Sequence, residues 1–124
     1  MKLANEISIN LIKPMIGKIY NDVKVNNRDD ELIFKDENNH GIRFFHEQDC
    51  CESVVIDDVE GDLNDLIGLT ILVAEEVSHA SEWEGDESGT WTFYKFATAK
   101  GSVTVKWLGT SNGCYSESVY WKSF

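Results

Sequence analysis

The sequence predicts an α+β fold, mainly one antiparallel, twisted β-sheet with meander topology and one or two short helices. Alternating apolar and polar runs recur between turn-forming residues, and the C-terminal third is rich in aromatic and β-branched residues. The 124 residues, 42% of them hydrophobic, suffice for one packed core. We therefore expect a single domain over 1–124, with a helix/strand segment at 1–26 and a sheet core at 31–122.

The N-terminal elements follow from local patterns. Residues 5–16 have a mixed apolar pattern that favours a short helix after Asn5, which Pro14 would end or turn. Residues 18–25 alternate as a strand does, and residues 26–30 form a turn.

A β-hairpin is expected next. Residues 32–35 and 42–45 are its strands, joined by a loop in which Asn and Gly allow positive φ. Residues 53–57 predict another strand. The segment between Phe45 and Ser53 is therefore a strand-to-strand connection.

Residues 62–68 predict a short helix. Leu63, Leu66 and Ile67 have helical spacing, Asp62 suits the N-cap and Gly68 suits the end. A strand at 69–77 and a polar, acidic, solvent-facing loop at 81–90 follow.

The C-terminal third predicts a hairpin of strands 91–98 and 103–108, joined at 99–102. A turn at 110–113 leads to a last strand at 115–122, where apolar and polar residues alternate.

Net charge limits the functional classes. With 22 acidic and 11 basic residues, the formal net charge is -11, and only Arg28 and Arg43 are arginines. Direct nucleic-acid binding, which uses clustered cations, is disfavoured. The acidic excess either keeps the protein soluble or fits a basic protein partner.

Localisation is expected to be cytoplasmic. The sequence shows no export signal and no apolar run long enough to span a membrane. Three cysteines, two of them adjacent, also argue against a secreted disulfide framework.

One segment suggests metal chemistry. His46, Cys50 and Cys51 lie within seven residues, and thiolate and imidazole are preferred zinc ligands. Neighbouring strand residues face opposite ways, so both cysteines could bind one ion only from a bent loop. A distant donor would complete the site; the available ones are Cys114, His79, Asp49, Glu52 and the Glu75–Glu76 pair.

Two alternatives remain for the same segment. A cysteine can be buried simply as a small apolar residue, and His46 can be a satisfied polar residue. A cysteine paired with His46 could instead be a nucleophile, oriented by Asp49 or Glu52. No nucleophile elbow, phosphate loop, HExxH or EF-hand pattern accompanies it, which disfavours catalysis.

Acidic residues form the candidate partner-binding surface. It is either a solvated face or a negative surface that competes for a basic groove, with Trp83 as an anchor or packed beneath its loop. Its candidate residues are Asp57, Asp58, Glu60, Asp62, Glu82, Trp83, Glu84, Asp86 and Glu87, with Asp65 nearby.

Three segments, at 44–54, 91–95 and 111–119, together resemble a family of small phage- and prophage-encoded domains of unknown function. The resemblance covers roughly residues 17–122, and the HEQDCCE block is its most specific part. Members of that family usually have an aromatic residue where this chain has Cys114, so Cys114 is not a general ligand of the family.

The resemblance implies a phage accessory protein. Similar small acidic phage proteins include anti-CRISPR inhibitors that bind Cas9 and keep it from its target DNA. We therefore expect a non-enzymatic inhibitor of host Cas9, or of another basic nucleic-acid-handling protein, acting as a monomer or small homo-oligomer with a zinc ion that stabilises its fold. The alternatives are a metal- or cysteine-dependent enzyme and a phage structural or assembly module.

Overall fold

The computed structural model describes residues 5–47, 52–82, 88–111 and 117–124. These residues form two antiparallel sheets. The strands are β1 (Asn5–Leu11), β2 (Asp22–Val25), β3 (Glu31–Lys35), β4 (Gly41–Phe45), β5 (Ser53–Glu60), β6 (Val73–Glu82), β7 (Ser88–Ala97), β8 (Ser102–Ser111) and β9 (Tyr120–Ser123). The large sheet has the order β1-β6-β7-β8-β5, and the small sheet has the order β2-β3-β4-β9.

The prediction of a mainly antiparallel β fold is confirmed, but the single meander is wrong. The chain leaves the small sheet after β4, builds most of the large sheet, and returns with β9, which pairs with β4 through Phe44 and Trp121. A contact between residues this far apart in sequence leaves no local pattern, so the sequence could not indicate it.

The predicted N-terminal helix is also wrong. Residues 5–11 form edge strand β1, paired with β6, and only Lys13–Met15 make a 3-10 turn. Ile7, Ile9 and Leu11 occupy alternate positions, and this period of two fits the sheet. The 62–68 segment likewise forms one 3-10 turn, Leu63–Leu66, rather than an α-helix.

The caps of that second turn were predicted correctly. The Asp62 side chain accepts a hydrogen bond from the Asn64 amide at 2.9 Å, and Gly68 adopts a φ of +77° just after the turn. The turn then packs Leu66 into the core.

The two hairpins were predicted correctly as well. β3 pairs with β4 from Glu31↔Phe45 to Lys35↔Gly41, and β7 pairs with β8 along ten residues. The predicted loop at 81–90 is shorter, because Glu82 still pairs with Ser88. Residues 83–87 lie outside the described ranges.

One apolar core lies between the two sheets. Phe34 and Phe44 of the small sheet meet Phe96 and Tyr94 of the large sheet at ring-centroid distances of 4.8 and 4.7 Å. Trp107 is fully buried beside them. In the part of the chain that is described, no helix is long and apolar enough to cross a membrane.

Candidate functional site

His46 lies directly after β4, on the face of the strand that points into the core. Ile42 and Phe44 precede it at alternate positions and are buried, so the period of two carries the imidazole inward. Its side chain is 1% exposed. The site is therefore built at one end of the apolar core, which we call the His46 end.

The imidazole is held by the chain segment that returns to the small sheet. Nδ1 lies 2.6 Å from the carbonyl oxygen of Ser118, and the ring stacks on Tyr120 at 6.0 Å. A carbonyl oxygen only accepts, so Nδ1 must carry the proton and donate it. In the neutral ring, Nε2 then presents a lone pair.

Nε2 points towards a carboxylate. It lies 3.7 Å from Oε2 of Glu52, whose side chain is also 1% exposed. Within the described part of the chain Nε2 makes no hydrogen bond. A buried polar atom without a partner is unfavourable, so a positive charge between these two atoms, a proton or a metal ion, would stabilise the pair.

Cys50, Cys51 and Cys114 lie outside the described residues. The strands that flank them are informative, because Ser53 of β5 pairs with Thr110 of β8. Ser53 and Ser111, the residues of the large sheet nearest these cysteines in sequence, therefore lie at neighbouring strand ends. That is the end at which His46 and Glu52 lie.

Glu117 is held against the large sheet. Its carboxylate accepts hydrogen bonds from Thr90 Oγ1 at 2.8 Å and from Ser111 Oγ at 2.5 Å. Gly109 lets Glu117 approach closely, since a Cβ there would lie 2.6 Å from the Glu117 carbonyl oxygen. A partly buried polar cluster thus lines the His46 end.

The other candidate metal donors lie elsewhere. His79 and Glu75 pair with Trp91 and Lys95 on the outer face of the large sheet, away from His46. Glu76 faces the Tyr94 hydroxyl, and burial is the main reason that its pKa is raised. No group of three metal-binding side chains occurs within the described ranges, which exclude Asp49 and the three cysteines.

The acidic candidates divide between two ends of the large sheet. Asp57, Asp58 and Glu60 are exposed along β5, which runs away from the His46 end, and Asp62 lies beyond them. Glu82 is the last residue of β6 and pairs with Ser88, which in turn pairs with Ser111. Glu82 therefore lies at the His46 end of the large sheet. The structure therefore does not join the two groups, and Trp83, Glu84, Asp86 and Glu87 lie outside the described ranges.

Some of these carboxylates already have partners. Glu60 lies 2.6 Å from Lys106 Nζ, and hydrogen bonding to Glu60, with the nearby Asp58 and Asp57 charges, raises the pKa of Lys106. Asp62 caps a 3-10 turn. Asp57 and Asp58 form no ion pair with any described cation, although Lys106 is directly opposite Asp58, so a partner would meet both acids without breaking an ion pair.

Sequence reasoning missed Ser118 and Glu117 as parts of the site. Ser118 acts through its backbone carbonyl, for which the residue type gives no signal. Glu117 was assigned only to an alternating strand, whereas β9 begins at Tyr120.

A family described as "Domain of unknown function (DUF7448)" matches residues 13–121. The chain belongs to this family. The match includes both sheets except β1 and the last residues of β9, and it includes His46, the three cysteines and Glu117. No curated protein and no solved structure matches the chain significantly.

Proposed function

We propose that this DUF7448 protein is a phage-encoded, non-catalytic inhibitor that binds a basic, nucleic-acid-handling defence protein of the host, and that a zinc ion stabilises its fold. Cas9 is the partner to test first. The observation that supports the zinc ion is the buried Nε2 of His46, which faces Glu52 without a hydrogen bond within the described residues.

The geometry at His46 suits a zinc ligand. Zinc-bound histidines usually donate their other ring nitrogen to a carbonyl or carboxylate, as Nδ1 does to Ser118. Two ligands on one tetrahedral zinc ion are about 3.4 Å apart. The 3.7 Å between His46 Nε2 and Glu52 Oε2 is close to that separation.

Cysteine thiolates would complete the coordination. The proposed ligands are His46, Cys50, Cys51 and Cys114, and Glu52 is an alternative to one of the cysteines. Four protein ligands would close the coordination sphere and leave no position for a substrate, as in structural zinc sites. Burial of the His46 side chain supports this role over catalysis.

The partner-binding surface that we propose centres on Asp57 and Asp58 of β5. Both side chains are exposed and form no ion pair with a described cation, although Lys106 is directly opposite Asp58, and the whole chain carries a net charge of -11. A surface of this sign attracts a basic groove and accelerates association at low salt. The acidic residues of the 82–87 segment, of which Glu82 ends β6 at the His46 end, would contribute a second, separate contact.

Metal analysis of the purified protein tests the zinc ion. We expect one zinc per chain, lost together with thermal stability in the Cys50→Ser and His46→Gln variants. His79→Gln is the matched control, because His79 lies on the outer face of the large sheet and should keep the metal. A wild-type protein without zinc, or with zinc that His46→Gln does not affect, would reject the metal site.

Binding and protection assays test the inhibitor. The protein should bind purified Cas9 and reduce cleavage of target DNA, and Asp57→Asn/Asp58→Asn should weaken binding more at low salt than at high salt. The control is Glu37→Gln, which removes one charge from an exposed turn between β3 and β4 and is compared with Asp57→Asn alone. If the wild type neither binds Cas9 nor protects DNA, the Cas9 proposal fails.

A further inference from the structure

The outer face of the small sheet carries a groove with the opposite charge to the rest of the protein. Its volume is about 320 Å³, within the range of small-molecule sites. We call it the cationic groove, and it is lined by Lys24, Glu31, Ile33, Lys35, Arg43, Lys122 and Phe124.

Strand register creates the charge. Lys24 pairs with Ile33, Ile33 with Arg43, and Arg43 with Lys122, so one row of side chains crosses all four strands. Neighbouring strands are about 4.8 Å apart. Lys35 occupies the next row of the same face, opposite Gly41.

One pair of side chains in this row is unfavourable for folding. Arg43 and Lys122 are directly opposite each other, and like charges in that arrangement are destabilising. Four cations, together with Glu31 and with Asp22, which lies 3.7 Å from Lys24, give this face a charge of +2, which leaves -13 for the remainder of a chain whose total is -11. Four of the eleven basic residues are therefore gathered at one concave site.

Arg43 is held in place by its neighbours, and two of the lysines are available to bind an anion. Arg43 stacks on the Phe45 ring at 4.0 Å and lies 3.1 Å from Glu31, so its guanidinium is fixed over the sheet. Lys24 pairs with Asp22, which is also directly opposite Lys35, whereas Lys35 and Lys122 themselves form no ion pair with any described acid. A ligand anion would supply the missing counter-charge.

The groove also has apolar surface. Ile33 separates Lys24 from Arg43, and the exposed ring of Phe124 lies at the rim, where Phe124 hydrogen-bonds to the backbone of Gly41. Gly41, opposite Lys35, lets the two strands approach closely, because a Cβ at this position would clash with the backbone of Phe34. An anion with a ring attached would use both kinds of surface.

From this arrangement we infer a binding site for a phosphorylated small molecule that carries a ring, of about the size of a nucleoside diphosphate. Its phosphates would lie on Arg43 and Lys122, and its ring on Ile33 and Phe124. A small ligand fits better than a nucleic acid strand. Salt screens a ligand in the groove from the acidic residues of the protein that lie more than about 8 Å away. A long polyanion would extend beyond the groove and be repelled by those acidic residues. This site is independent of the proposed inhibitor surface on β5.

Amide NMR titration of the full chain with ADP tests the site, with adenosine and pyrophosphate in parallel. ADP should shift the amides of residues 24, 33, 43 and 122 and bind more tightly than either fragment. Arg43→Gln/Lys122→Gln should weaken ADP binding about tenfold or more, since charge-assisted hydrogen bonds are lost. Lys122→Gln alone keeps the Arg43–Glu31 pair and should weaken binding in the same direction.

The control is Lys13→Gln/Lys18→Gln, which removes two exposed positive charges away from the groove and should leave ADP binding unchanged. Thermal unfolding of every variant checks its fold. The inference is overturned if ADP produces no shifts in the groove, or if both groove variants bind ADP as the wild type does. It is also overturned if a single-stranded oligonucleotide binds this face more tightly than ADP.

Discussion

The centre of the core and its His46 end are both buried, but they are stabilised by different interactions. At the centre, Phe34, Phe44, Tyr94 and Phe96 pack with ring centroids 4.7 to 6.3 Å apart. At the His46 end, hydrogen bonds to the Ser118 carbonyl and the Glu117 carboxylate accompany the stacking of His46 on Tyr120. The centre depends on the apolar area it buries, and the His46 end depends on whether each polar atom has a partner.

Removing a ring from the centre should have the largest effect. Phe44→Ala should lower the free energy of unfolding by about 3–5 kcal/mol, because it leaves a cavity among rings that cannot close it. Urea unfolding measures the loss. Phe45→Ala is the neighbouring control on the outer face and should cost less; equal losses would contradict the assignment of Phe44 to the core.

Removing one hydrogen bond from the His46 end should cost less. Ser111→Ala deletes a donor to the Glu117 carboxylate, for which we expect a loss of about 1–3 kcal/mol. Thr90→Val deletes the other hydroxyl donor. Because both act on one carboxylate, the double variant should differ from the sum of the single variants, and simple additivity would argue against a shared cluster.

The smallest effect is expected where a carboxylate borders the aromatic centre. Burial, partly offset by the nearby Tyr94 hydroxyl, raises the pKa of Glu76 above its usual value. The folded state then binds the Glu76 proton more tightly than the unfolded state does. This group therefore lowers the stability of the fold as the pH rises from the pKa of Glu76 in the unfolded state to its higher pKa in the folded state. Glu76→Gln should slightly raise the Tm at pH 7 and not at pH 4; a lower Tm at pH 7 would contradict the sign.

The sequence predicted those parts of the fold that depend on residues close together in the chain. The β3–β4 and β7–β8 hairpins follow from alternation and turn residues close in sequence. The separation into two sheets does not, since it depends on β9 pairing with β4 rather than with its predecessor β8. The wrong prediction of a helix at 5–11 has another cause. The spacing of Leu11, Ile12, Met15 and Ile16 suggested a helix, and it outweighed the alternation of Ile7, Ile9 and Leu11, which is the pattern of the strand that forms.

The candidate site, like the fold, was predicted only in part. His46 is a chemically distinctive residue, and its position after an alternating strand indicated where it would lie. Its partner is a backbone carbonyl from Ser118, which residue type does not reveal. The cationic groove was missed because its four cations are dispersed along the sequence and meet only through strand register.

β9 contributes to both sites although it has only four residues, all exposed. It carries Lys122 into the cationic groove, and the segment just before it brings Ser118 to His46. Short, exposed edge strands open at low cost compared with a core strand. Detachment of β9 would therefore dismantle the groove and release His46 in a single local unfolding event, and a ligand bridging Arg43 and Lys122 would slow hydrogen exchange at both places.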